Sequence, residues 1–115
     1  MLPKKYRLRK NLEFRRIYRS SKSIANEFLV LYIKRNKLNQ NTRVGFSISK
    51  KIGKANERNY LKRVFREIIK KNLALIEPQY DLIFLARQKI KGKSYKDVEE
   101  SMESLLKKGK LLYDR

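Results

Sequence analysis

The chain has 115 residues, with 31 Lys or Arg against 11 Asp or Glu, a net charge of +20. Leu, Ile, Val and Phe together number 34, above the roughly 20% below which a highly charged chain fails to fold, so one packed domain over residues 1–115 is expected. There is no Cys and no His, which excludes a disulfide scaffold, thiolate chemistry, the commonest general base and imidazole-built zinc sites.

Asn11 is a plausible N-cap for a short helix over Leu12 to Arg19, with Phe14, Ile17 and Tyr18 on one face. Phe28 to Ile33 reads as a strand by its length and its β-branched and aromatic content. Lys34 to Thr42 is polar and rich in Asn, which suits a hairpin loop. Arg43 to Ser49 alternates, with Val44, Phe46 and Ile48 on one face and Gly45, Ser47 and Ser49 on the other. A strand face so small can admit something close to its backbone.

After Gly53 a longer helix runs roughly from Asn56 to Asn72. Leu61, Val64, Phe65 and Ile68 form its core stripe, and Arg58, Lys62 and Arg66 a separate cationic stripe. Tyr80 to Ala86 has the apolar composition of a buried strand. Ser94, with Asp97 three residues on, opens a last helix whose buried side is Val98, Met102, Leu105 and Leu106. The order α-β-β-β-α-β-α, first strand short, describes an α+β two-layer sandwich in one domain.

The charge is uneven: residues 1–71 carry a net +18 and residues 72–115 a net +2. A polyanion of the nucleic-acid kind is expected to meet the first two-thirds. No stretch approaches the roughly 18 apolar residues of a membrane span, and the basic start lacks a signal peptide's apolar region. A cytoplasmic protein with no membrane contact is expected. A basic helix stripe is usually a solvated surface, yet here Glu57 and Glu67 are the only carboxylates between Glu27 and Glu77. Phe14, Tyr18 and Tyr32 fit either a core or base stacking, Ser47 and Ser49 either a polar strand face or a binding face, and Asn59 either a cap or an RNA contact. Metal-dependent phosphodiester cleavage needs converging carboxylates. Those before Glu77 are scattered over different elements, so composition favours a binder over an autonomous nuclease.

The run RVGFSISKKIGKANERNYLKRVFRE, residues 43–67, closely resembles the signature of the bacterial ribonuclease P protein component family. That signature is a strand ending in Ser-x-Ser-Lys-Lys, a Gly, then an Arg-Asn-Arg helix followed by Lys-Arg-x-x-Arg. Ser47, Ser49, Lys50, Lys51, Gly53, Ala55, Arg58, Asn59, Lys62, Arg63, Arg66 and Glu67 match. Phe14, Tyr18, Asn26, Tyr32 and Asp81 to Arg87 extend the resemblance over essentially the whole chain. Tyr60 stands in place of the second Arg of Arg-Asn-Arg, and Asn56-Glu57 replaces a usually apolar or neutral pair.

The resemblance implies a left-handed strand–helix–strand crossover. It also implies a subunit of a ribonucleoprotein that removes the 5′ leader of precursor tRNA, paired roughly 1:1 with an RNA subunit that performs the hydrolysis with Mg²⁺. No obligate protein partner, no protein-bound cofactor or metal and no catalytic protein residue are implied. The helix residues Arg58, Asn59, Lys62, Arg63 and Arg66 would bind RNA. Phe14, Tyr18, Tyr32, Ser47 and Ser49 would line the leader cleft, with Lys50, Lys51 and Lys54 as supporting charge. A structural RNA binder of the ribosomal-protein kind is the alternative.

Overall fold

The computed structural model describes residues 2–113. Its elements are α1 (Asn11–Ser20), β1 (Lys22–Ala25), β2 (Leu29–Arg35), β3 (Arg43–Ser47), α2 (Ala55–Asn72), β4 (Tyr80–Ala86) and α3 (Tyr95–Lys108), the expected α+β order. Helix α1 begins a residue early because Phe14 N–H closes its first helical bond on the Lys10 carbonyl. Lys10 is therefore the N-cap, not Asn11, and it offers no side-chain bond. The Ser94 hydroxyl does cap α3, accepting from Asp97 N–H at 3.1 Å. Strand β2 starts at Leu29 rather than Phe28 because the Asn26 side-chain oxygen accepts from both of their N–H groups. The Asn26 amide also donates to the Ser101 carbonyl, tying this turn to α3.

The four-stranded sheet runs β1-β2-β4-β3, with β1–β2 and β2–β4 antiparallel and β3–β4 parallel. The segment after β2 is therefore no hairpin loop. β4 lies between β2 and β3, and the connection crosses the end where β4 begins. There Asn36 N–H donates to the Gln79 carbonyl, and the Thr42 hydroxyl accepts from Tyr80 N–H. The cause is the two-sided apolar composition of β4. Leu82, Phe84 and Ala86 enter one core and Ile83 the other, so only a central place buries both faces. The β3–α2–β4 unit joins neighbouring parallel strands and is the crossover whose hand the resemblance specifies.

The main two layers are the sheet and the pair α2/α3. Leu61, Val64, Phe65 and Ile68 of α2 and Val98, Met102, Leu105 and Leu106 of α3 pack there with Leu29, Leu31, Val44 and Phe84. α1 covers part of the other face through a smaller cluster of Leu8, Ile17 and Ile83, with Phe14 and Tyr32 against it.

An ion-pair cluster pins α1 to the sheet. Arg43 Nη1 lies 2.6 Å from Glu13 Oε2, and Arg43 Nε and Nη2 each lie 3.1 Å from an Asp81 oxygen. Burial opposes the Glu13 charge, but the hydrogen bond and charge of Arg43 outweigh it and hold the carboxyl below its ordinary 4.5. A folded-state value that is lowered contributes stability above pH 4.5 and loses it as the pH falls through the folded value. The denaturant midpoint should therefore drop less on acidification in Glu13→Gln than in wild type. Equal drops would show that this pair contributes nothing to the acid response.

Candidate nucleic-acid interface

Strand β3 lies at the sheet edge, and the segment before α1 runs along it: Arg7 bridges Val44, and Leu8 N–H donates to the Val44 carbonyl at 3.0 Å. Leu8 is buried between the half-buried Arg7 and the exposed Arg9 and anchors the segment as an apolar peg. The segment, α1, β3 and α2 together enclose an open groove of about 590 Å³. Phe14 and Tyr18 of α1 face it together with Val44, Phe46, Ser47 and Ile48, and Lys62 and Arg66 contribute from α2. Arg7, Arg9 and Arg15 complete its charge, and among the described residues no carboxylate lines it. The Arg7 Nε is buried without a hydrogen-bond partner among the described residues. Such an arrangement can hold a polyanionic strand by charge and its bases by aromatic faces, with little regard to sequence.

The aromatic wall is ordered from inside to outside. Tyr32 of β2 sits behind Tyr18, edge to face at 4.8 Å between centroids, and Phe14 and Tyr18 meet at 6.3 Å. Tyr18 is 36% exposed, whereas Phe14 and Tyr32 are half-buried. Gly45 explains how α1 can come so close, because a β-carbon there would collide with Phe14 Cζ. The space expected on the small face of β3 is thus filled by the protein's own Phe14.

The structure brings Phe14, Tyr18, Ser47, Lys62 and Arg66 around one groove. Tyr32 does not reach its lining. Ser49 leaves the strand altogether, because β3 ends at Ser47 and Ser49 precedes a 3-10 turn over Lys50–Ile52. Arg58, Asn59 and Arg63 sit on α2 outside the groove lining, and Asn59 is exposed inside the helix rather than capping it. Lys50, Lys51 and Lys54 are exposed on the turn and linker that enter α2. Sequence reasoning missed Arg7, Arg9 and Arg15 as groove residues. The signal available was the alternation Arg7-Leu8-Arg9, a strand-like period in a run noted only for its charge.

Among the described residues, no three His, Cys, Asp or Glu side chains come together as a metal site. No described helix is long and apolar enough to cross a membrane.

The family model for ribonuclease P matches residues 2–110. The ribonuclease P protein component of Clostridium novyi is 47% identical over 111 residues, covering 96% of this chain and 98% of the relative. That of Clostridium botulinum (strain Loch Maree) is 48% identical over 106 residues, with 91% and 95% covered. Among solved structures, the RNase P protein of Staphylococcus aureus superposes with a TM-score of 0.89 at 39% identity, covering 94% of this chain and 98% of that one. The Thermotoga maritima protein does so at 0.82 and 33% identity, with 89% and 96% covered. With a family match spanning nearly every described residue and the same α+β fold, the chain belongs to the ribonuclease P protein component family, subunits of the RNA-dependent endoribonuclease that processes the 5′ end of tRNA.

Proposed function

We propose that residues 1–115 act as one RNA-binding unit that holds the 5′ leader of precursor tRNA in the groove and the RNA subunit on the outer side of α2, in a roughly 1:1 complex. The observation that carries this reading is the groove itself, with aromatic faces on its α1 wall and Lys62 and Arg66 on its α2 wall. A leader is single-stranded, so its unstacked bases can lie on Phe14 and Tyr18 while its phosphates meet the arginines and lysines. Ser47 offers a hydroxyl on the floor, and Tyr32 supports Tyr18 from behind.

Arg58, Asn59 and Arg63 lie on the part of α2 beyond the groove, with Lys50, Lys51, Lys54 and Ser49 leading into it. This surface suits a second, structured RNA. Asn59 could bond a base edge or a 2′-hydroxyl, and the cations would neutralise phosphates. Mg²⁺ and the hydrolytic step are assigned to the RNA subunit, and the work to the cytoplasm, with no membrane and no obligate protein partner.

The test is precursor-tRNA cleavage by RNA subunit alone, protein alone and both together, at low Mg²⁺. Cleavage should require the RNA subunit and rise sharply when the protein is added. Cleavage by protein alone, or no change on adding it, would overturn the proposal. If the protein bound ribosomal RNA but not this RNA subunit, the structural-binder alternative would replace it.

A further inference from the structure

A second cavity, sharing no lining residue with the groove, opens where the start of α2 meets the turn before α3. It measures about 350 Å³. Ile52, Leu61 and Ile90 are buried and give it an apolar base. Tyr60, 46% exposed, supplies an aromatic wall, and the Arg63 guanidinium lies over its ring at 5.4 Å from the centroid. The rim carries Lys91 and Lys93.

We infer that this cavity takes one unpaired nucleobase of the RNA subunit, stacked on Tyr60. The inference rests on the RNA-binding reading of α2 and adds to it a pocket and a ligand class. Cavities that hold small organic groups start near about 300 Å³, so the space is suited to a single ring system. A flat ring bound there gains an apolar floor and an aromatic face, the way exposed bases are usually held. The polar groups fit a base edge. Glu57 Oε1 accepts from Lys54 N–H at 3.0 Å. Glu57 Oε2 has no hydrogen bond among the described residues and can accept from an exocyclic amino group. The Asn56 amide can donate and accept beside it, and the two lysines suit the phosphates on either side of the base.

Asn56, Glu57 and Tyr60 lie close together near the start of α2, and all three line this one cavity. The Tyr60 ring is a stacking surface with the Arg63 guanidinium over it. The groove receives the leader on the far side of Lys62 and Arg66, so a base in this cavity belongs to the other RNA.

The experiment measures affinity for the RNA subunit with full-length wild type, Tyr60→Ala and Tyr60→Phe, and probes base reactivity in each complex. Stacking of one base predicts a loss of about five- to over a hundredfold for Tyr60→Ala, near-wild-type affinity for Tyr60→Phe and an unchanged melting temperature. One unpaired nucleotide, protected by wild type, should become reactive with Tyr60→Ala. Wild-type affinity for Tyr60→Ala, or a loss that appears only with leader-bearing substrate, would overturn the inference. So would a loss accompanied by a fall in melting temperature and no change in any single nucleotide. Failure of wild type itself to bind the RNA subunit would instead overturn the proposed function.

Discussion

Replacing Arg58, Lys62 and Arg66 together by Ala is expected to flatten the salt dependence of RNA binding while leaving the fold intact. Each phosphate contact contributes about 0.7 to 0.9 to the slope of log K against log salt, so three lost contacts should remove about 2 to 3. The loss should be largest at low salt, where counterion release is strongest. Stability should hardly move, because the core stripe of Leu61, Val64, Phe65 and Ile68 lies on another face of α2. Surface substitutions of this kind stay within about 0.5 kcal/mol each. Arg58 supports the same expectation, since its buried Nε has no partner among the described residues whose loss would cost a bond. Binding titrations at three or more salt concentrations, with melting curves alongside, decide the matter. A triple variant that melts normally and keeps the wild-type slope would show that α2 does not contact RNA.

The three aromatics should separate into different behaviours, following their depth. Tyr18→Ala should weaken binding of leader-bearing RNA by about five- to over a hundredfold, the worth of one stacked base, at a stability cost below about 1 kcal/mol. Tyr18 is the outermost ring and lines the groove. Phe14→Ala should do both kinds of damage. Its ring fills the space over Gly45 and touches the small core, so removing it should cost about 3 kcal/mol, the low end of the range for buried Phe, and weaken leader binding as well. Tyr32→Ala should act mainly on stability, because Tyr32 packs behind Tyr18 and against the cluster of Leu8, Ile17 and Ile83. The measurement is the affinity ratio for leader-bearing against leaderless tRNA, with a denaturation curve for each variant. A Tyr32→Ala protein that keeps its melting temperature but loses the leader preference would place Tyr32 in the cleft itself. An unchanged ratio in Tyr18→Ala would remove stacking from the account.

Much of this was legible in local pattern. Six of the seven elements, the core stripe of α2, the cationic stripe beside it and the buried side of α3 follow from local composition and periodicity, which depend only on residues a turn or a pleat apart; the short strand β1 carries no such signal of its own. The excess charge of residues 1–71 and the motif from Arg43 to Glu67 pointed to RNA before any contact was known. The errors were of another kind. Asn11 resembled a cap, but the start of α1 depends on where Lys10 is held. Lys34 to Thr42 resembled a hairpin, but strand neighbours are chosen by which strand must bury two faces, and that strand, β4, begins 37 residues after β3 does.

Residue types and their spacing were enough to determine the element order, the separation of core from charge and the class of partner, because each is a property of a single segment. The tertiary structure decided what those segments build between them. It placed Arg7 and Leu8 along the edge of β3, filled the space over Gly45 with Phe14, set Tyr18 before Tyr32, and opened one cavity on each side of the cationic helix. Each of these joins residues far apart in the chain, and their proximity follows from burying both faces of β4 at once, a condition that no single segment expresses.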